Sequence, residues 1–476
     1  MKRTKIIATV WPATNSKKKL IQLYKAWVNI IRFNFSHANY EESWRIADII
    51  KQLNKENETN LSLLLDTKWP EIRTWDLEEK ILFRQWDIFK IYTDETLVDS
   101  WNLFCDYKYL SEDIDTNGVI VIDSGLLSVK VLSKFDGYVE VEALNSAEIG
   151  SRRHINLPWV TLRMPWVTSK DKKDIKWWIE NDFSFIAASF IRNASNVEEV
   201  KTLLKENNAE HIKIISKVEN QESIDNLDEI IASSDWIMVA RGDLWIEVPI
   251  EKLAVYQKEM VDKCKINGKF VIVATHLLET MIDNPFPTRA ESSDVFNAVM
   301  QKPDCLMLSG ETAIWAFPIE TVKMMTSLIQ EAEKNVEYLH ESYVNKNLCQ
   351  RDLEKKLLIK SWIFIWEELE AKALIILTKT GKLARLAASF RPKITTYAFT
   401  PFESTVSLCN AYFGIDAFYL KKWNPDNYNK TLEKAIKKLV KKNVLKKDDQ
   451  IIAINDIQKD GNEIPVMEII VVDDFI

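Results

Sequence analysis

The chain has 476 residues, with 63 lysines and arginines against 70 aspartates and glutamates, five cysteines, ten glycines and seventeen tryptophans. That length allows about three domains, and the 46% hydrophobic and 28% charged fractions exclude a disordered or fibrous chain. A formal net charge of −7 argues against a general nucleic-acid binder, and no apolar run reaches the ~18 residues of a membrane span.

The first apolar run, residues 5–10, is too short for a signal peptide and reads as a β-strand. Similar runs follow at 29–35, 61–67, 183–190, 211–217, 236–240, 270–275 and 305–309, most of them succeeded by a helical pattern. Eight such βα units predict a closed (β/α)8 TIM barrel, with functional residues at the carboxyl ends of its strands. Between 70 and 165 the pattern changes. Residues 118–123, 126–132 and 139–144 alternate with period two around the turn Phe135-Asp-Gly-Tyr138, which predicts antiparallel hairpins. The expectation is therefore a barrel in two parts (1–69 and 166–344), an inserted all-β lid (70–165) and a C-terminal α/β domain (345–476). Strands at 372–378, 393–399 and 467–472 belong to that last domain. Its Lys-rich stretch 434–447 reads as a solvated helix face. Cys105, Cys264, Cys305, Cys349 and Cys409 form no C-x-x-C pair and read as reduced thiols of a cytosolic protein.

Chemistry-bearing residues collect at the predicted strand ends. Lys217 and Glu219 are two apart and share a face, and the next strand ends Val239-Ala-Arg-Gly-Asp243. Two carboxylates from adjacent strands suit Mg²⁺, which keeps positions for substrate oxygens; a pair of rim salt bridges reads equally well. The second strand ends Arg32-Phe-Asn-Phe-Ser-His37 and the third Leu65-Asp-Thr-Lys-Trp-Pro-Glu-Ile-Arg73. Their oxygens beside arginines suit a monovalent cation next to a phosphate.

Longer strings carry a resemblance. Asn29-Ile-Ile-Arg-Phe-Asn-Phe-Ser-His37, Pro70-Glu-Ile-Arg-Thr74, Lys217-Val-Glu-Asn-Gln-Glu222 and Ile237-Met-Val-Ala-Arg-Gly-Asp-Leu244 occur in order. Ala274-Thr, Asn284-Pro-Phe-Pro-Thr-Arg-Ala-Glu291 and Met307-Leu-Ser-Gly-Glu-Thr-Ala313 follow. From Thr4 onward the sequence resembles the pyruvate kinases, whose architecture is the barrel, lid and C-terminal domain just read. The resemblance implies phosphoryl transfer from phosphoenolpyruvate to ADP, with Glu219 and Asp243 on Mg²⁺ and Lys217 stabilising the moving phosphoryl and the enolate. It places Arg32 on the substrate phosphate, the backbone of Arg241-Gly242-Asp243 on its carboxylate and Thr275 in the relay that protonates the enolate. It assigns K⁺ to Asn34, Ser36, Asp66 and Thr67, with Glu71 marking a potassium-dependent member. Asn34, His37, Arg73 and Arg153 would contact nucleotide; Arg152 and Arg153 stand where the lid of relatives carries lysines. A homotetramer in the cytoplasm, bound to neither nucleic acid nor membrane, is the implied setting. Other phosphoenolpyruvate- or pyruvate-using barrels, such as lyases, need neither lid nor C-terminal domain.

Two departures stand out. At an average usage of about 7% the chain would hold roughly 33 glycines. Tryptophan stands instead where these relatives carry glycine, at Trp11, Trp27, Trp69, Trp75, Trp159, Trp178, Trp236, Trp245 and Trp315. Glycine serves such turns because it accepts φ > 0 and close approach. The pattern predicts UGA codons that the source organism reads as glycine, with Trp44, Trp101 or Trp362 among those that could be genuine. The alternative is a tryptophan-substituted, catalytically impaired homologue with a binding or regulatory role. The second departure concerns regulation. Thr378-Lys-Thr-Gly-Lys382 resembles a sugar-phosphate effector loop of regulated relatives and reads equally as an ordinary strand-to-helix turn, while 455–462 fits their later, glycine-rich effector loop poorly.

Overall fold

The computed structural model describes residues 2–475 apart from 36–38, 57–58, 68–71, 78, 95, 97, 99–100, 161, 164–168, 182, 315, 338–349, 422, 425–426 and 460–461. The three domain boundaries expected from the sequence, with Ser36, His37, Glu71, Trp69 and Trp315, lie outside the described residues.

The chain opens with β1 (Lys5–Thr9), α1 (Lys17–Lys25), β2 (Ile30–Asn34), α2 (Tyr40–Lys55) and β3 (Ser62–Asp66). Helices α1 and α2 start where Ser16 and Asn39 accept hydrogen bonds from the backbone N–H three residues on. The lid follows as β4 (Ile72–Arg73), β5 (Ile81–Phe83), β6 (Ile88–Tyr92), β7 (Leu103–Phe104), α3 (Leu110–Asp113), β8 (Val119–Ile122), β9 (Leu127–Phe135), β10 (Tyr138–Ala143), β11 (Ala147–Ile149) and β12 (His154–Asn156). Its strands form a seven-stranded sheet, β4-β12-β8-β9-β10-β6-β7, and a β11-β5 pair. Period-two burial runs along β9 and β10, whose inward Val129, Val131, Val139 and Val141 fill the lid core.

The barrel resumes with α4 (Ser169–Glu180), β13 (Phe185–Ala188), α5 (Ala194–Glu206), β14 (Lys213–Val218), α6 (Gln221–Asp225), α7 (Leu227–Ser233) and β15 (Trp236–Ala240). It continues through α8 (Arg241–Glu247), α9 (Leu253–Ile266), β16 (Phe270–Ala274), α10 (Arg289–Met300), β17 (Cys305–Leu308), α11 (Gly310–Ala313) and α12 (Pro318–Ala332). The eight strands predicted from apolar runs close in the order β1-β17-β16-β15-β14-β13-β3-β2, every neighbour parallel. Most of their residues are buried because helices cover the outside and side chains fill the inside.

The C-terminal unit comprises α13 (Gln350–Leu369), β18 (Ala373–Leu377), α14 (Lys382–Ser389), β19 (Thr396–Thr400), α15 (Glu403–Asn410), β20 (Ile415–Tyr419), α16 (Tyr428–Lys441), β21 (Gln450–Lys459) and β22 (Asn462–Val471). The sheet order is β20-β19-β18-β21-β22, and only β22 is antiparallel. The sequence patterns missed β20, β21 and six short lid strands, which alternate too briefly to register. Residues 455–462, weighed above as an effector loop, fall mostly within the β21–β22 hairpin. The C-terminal unit plugs the amino-terminal end of the barrel. Tyr412 stacks 4.4 Å from Phe270 and 6.0 Å from Trp236, and Arg391 pairs with buried Asp304 at 2.5 Å. The opposite, carboxyl end stays clear for polar residues.

Candidate active site

Strand register sets the first contacts at that carboxyl end. Arg32 on β2 lies opposite Leu64 and Thr9, so its side chain reaches along the rim. Its Nε donates to Asp66 Oδ2 at 2.7 Å and its Nη1 to Thr9 Oγ1 at 2.8 Å. Lys217 on β14 reaches the same carboxylate, with Nζ 3.3 Å from Asp66 Oδ1, 2.8 Å from Glu219 Oε1 and donating to Ser189 Oγ at 2.9 Å. Burial works against the Asp66 carboxylate, but Lys217 and Arg32 outweigh it and hold its pKa below the ordinary value.

Lys217 shows the converse balance. Burial disfavours its ammonium, yet the carboxylates of Asp66, Glu219 and Asp243 win and raise its pKa above that of free lysine. It is therefore a fixed cation, able to stabilise developing negative charge and unsuited to proton transfer at neutral pH.

Glu219 is fully buried and accepts from the Phe190 backbone N–H at 2.6 Å through Oε2. Burial pushes its pKa up; Lys217 opposes the rise and Asp243 adds to it. The other oxygen, Oε1, faces the Lys217 ammonium. A buried carboxylate with a second carboxylate acting on it fits Mg²⁺, which is commonly held by one or two carboxylates plus substrate phosphates. No group of three or more His, Cys, Asp or Glu residues placed to hold a metal occurs among the described residues.

Asp243 lies in the first turn of α8, directly after β15. A Cβ on Gly242 would stand 2.8 Å from Thr275 Cγ2, so glycine lets α8 and Thr275 approach this closely. Thr275 itself has φ 74°. The Arg241 guanidinium is engaged by the turn after β16 and by α10. It donates to Thr275 O at 2.6 Å and to Asp294 Oδ1 at 2.9 Å, clamping the turn after β16.

The remaining expected residues are spread wider. Asn34 and Asp66 are paired across β2 and β3, and Thr67 Oγ1 donates to Ala187 O at 3.2 Å. Arg73 and Arg153 are carried by the lid: Arg73 Nη1 donates to Arg152 O at 2.8 Å, and Arg153 Nε lies 3.5 Å from Asp123. Arg152 pairs with Asp76 at 2.6 Å. Direct contacts thus unite Arg32, Asp66, Lys217 and Glu219, and the packing of Gly242 against Thr275 joins two more of the expected residues.

Sequence reasoning missed three participants. Ser189 bridges Lys217 and Thr67 O, and its place one residue beyond β13 was the signal for it. Glu247 and Asn156 carried no such signal. Asn156, at the end of lid strand β12, donates to Glu247 Oε1 at 2.6 Å at the end of α8, so lid and carboxylate helix are tied by a buried contact. Burial pushes the Glu247 pKa up to about 7, with Asn156 opposing the rise and Glu219 adding to it.

Among the described residues three tryptophans occupy left-handed backbone, Trp27 (φ 77°), Trp86 (φ 76°) and Trp159 (φ 63°). Trp27 follows α1 with its N–H bonded to Tyr24 O and the next N–H to Leu23 O, the Schellman arrangement that favours glycine. Trp159 follows Pro158 in a turn closed by Val160 N–H to Leu157 O at 3.1 Å, where a type II turn wants glycine. Trp178 is buried among Phe33, Phe35 and Phe183, its indole N–H without a partner among the described residues.

Comparison with known proteins bears on the family and the fold. Residues 1–322 match the family model for the pyruvate kinase barrel domain and residues 357–470 that for the pyruvate kinase alpha/beta domain. The chain is 37% identical over 470 residues to pyruvate kinase of Debaryomyces hansenii, covering 95% of this chain and 92% of that one. It is 36% identical over 471 residues to the Dictyostelium discoideum enzyme, covering 96% and 92%. A crystal structure of a pyruvate kinase from Cryptosporidium parvum superposes with a TM-score of 0.92 at 33% identity, covering 99% of this chain and 96% of that one. On two domain matches, full-length relatives and a shared fold, the chain belongs to the pyruvate kinase family of phosphotransferases.

Proposed function

We propose that the chain is an active pyruvate kinase, moving the phosphoryl group of phosphoenolpyruvate to ADP and protonating the resulting enolate to pyruvate. The observation that carries this reading is the Lys217 ammonium, fixed as a cation by Asp66, Glu219 and Asp243 at the carboxyl end of the barrel. Arg32, pre-oriented by Asp66 and Thr9, holds the substrate phosphate. The start of α8 holds the substrate carboxylate through backbone N–H groups. Lys217 stabilises the transferring phosphoryl and then the enolate oxygen. Thr275, beside Gly242, lies in the path that delivers the proton to the methylene carbon. Mg²⁺ on Glu219 and Asp243 would neutralise phosphoryl charge.

K⁺ would draw on Asn34, Ser36, Asp66 and Thr67, and nucleotide on Asn34, His37, Arg73 and Arg153, the last two brought in by the lid. Homotetrameric assembly in the cytoplasm completes the reading; no described helix is long and apolar enough to cross a membrane. The left-handed Trp27 and Trp159 support the view that these tryptophan codons are UGA read as glycine in the source. UGG at positions 69, 236 and 245 would overturn it and favour the impaired homologue.

The test is pyruvate release from phosphoenolpyruvate and ADP with Mg²⁺, with and without K⁺. It compares the chain as written with one bearing glycine at positions 11, 27, 69, 75, 159, 178, 236, 245 and 315. Activity stronger in the glycine form is expected. A folded glycine form without activity refutes the enzyme reading.

A further inference from the structure

A cleft of about 1260 Å³ separates the barrel from the C-terminal unit. On the barrel side it is lined near the amino-terminal ends of β3, β13 and β14, the opposite end from Lys217 and Glu219. On the other side stand edge strand β20, α15 and α16. The sequence pattern suggested a solvated lysine face for α16; Lys437, Lys441 and Lys442 are exposed, and Lys434, Lys438 and Lys442 line this cleft.

Charge in the cleft runs against the chain as a whole. Among the described residues its lining carries seven lysines and one histidine against a single acid, Glu403, although the whole chain has a formal charge of −7. Lys434, Lys438 and Lys442 follow at four-residue spacing and stack along α16 and its cap, and Lys51 and Lys55 repeat the spacing on α2. Like charges so spaced weaken a helix. The ammonium groups of Lys438 and Lys442 each lie 5.3 Å from the centre of the Phe418 ring, which gathers two cations at one aromatic face. Burial and then Lys442 lower the Lys438 pKa, even though its ammonium donates to Tyr419 O at 2.8 Å. Such an arrangement is stabilised by a multivalent anion seated between the two walls.

We infer that this cleft binds a small metabolite carrying two or more phosphate groups, held between Lys434, Lys438 and Lys442 on one wall and Lys51 and Lys55 on the other. A bounded, two-walled cleft of this size suits a ligand of nucleotide dimensions. A long nucleic acid would meet the negative field of the rest of the chain. None of these lysines belongs to 378–382 or 455–462, the segments weighed above for effectors, of which, among the described residues, Thr380 alone touches the lining. A ligand here would bridge barrel and C-terminal unit and stabilise their contact.

The test is calorimetric titration of the full chain with inorganic tripolyphosphate in Mg²⁺-free buffer. Two variants are compared, K434Q/K438Q/K442Q and, from the facing wall, K51Q/K55Q. Both lie far from the catalytic end, so turnover of phosphoenolpyruvate and ADP confirms that each is folded. Each set is expected to weaken one class of binding by about tenfold or more. Wild-type affinity and stoichiometry in both sets overturn the inference. A single-stranded RNA of about twelve nucleotides is the competing arm. If it binds more tightly than tripolyphosphate and loses binding in the same variants, the cleft is a nucleic-acid site and the small-metabolite assignment fails.

Discussion

Trp27 offers a test in which the sign of the effect carries the argument. Replacing it with glycine or with alanine removes the same indole, so the loss of its packing cancels when the two variants are compared. What remains is the backbone. An L-residue in the left-handed region costs roughly 1–2 kcal/mol, a penalty alanine retains and glycine escapes. Glycine in turn gives the unfolded chain more freedom, worth about 0.4–1 kcal/mol. With φ at 77° and both Schellman hydrogen bonds formed, W27G should be more stable than W27A by about 0.5–1 kcal/mol. In an ordinary helix or strand the order is reversed by a similar amount. Trp86 and Trp159 lie in separate turns and are 64% and 63% exposed, so the same comparison there should add nearly independently. The triple glycine variant should then exceed the triple alanine variant by about 1.5–3 kcal/mol. Thermal and urea unfolding midpoints, compared at equal steepness, measure the difference. Alanine variants more stable than glycine variants at all three positions would refute the claim that these sites are built for glycine.

Three further outcomes follow from the site. Lys217→Met should lower kcat by about 10²–10³-fold or more while phosphoenolpyruvate still binds, because Arg32 and the start of α8 remain; equal losses in binding and kcat would contradict the assigned role. Glu247 should make stability fall with pH. Its folded pKa, raised to about 7, lies above the ordinary 4.5, so its contribution is complete below pH 4.5 and lost as pH rises through 7. Without Mg²⁺, Glu247→Gln should remove up to about 3 kcal/mol of that dependence and outlast the parent at pH 8; identical melting profiles would rule the group out. Glu71→Lys should permit turnover without K⁺, and an unchanged K⁺ requirement would remove Glu71 from the cation's surroundings.

The sequence alone determined the barrel, because each of its eight strands is an apolar run buried on both faces and so visible without knowledge of its neighbours. It also singled out Lys217, Glu219 and Asp243 as candidates, since Lys217 and Glu219 flank the end of β14 and Asp243 follows β15 in the first turn of α8. Short strands such as β4, β7 and β12 left no trace, because two or three residues cannot display a period. Only the tertiary structure decided that Asp66 is shared by Arg32 and Lys217, that the Arg241 side chain is a clamp, and that Asn156 reaches Glu247 across 91 residues of chain. The same is true of Lys434, Lys438 and Lys442, which line one cleft together with Lys51 and Lys55 of α2. Periodicity records which face of an element is apolar; where two distant polar groups meet is set by strand register and domain packing, which no local pattern encodes.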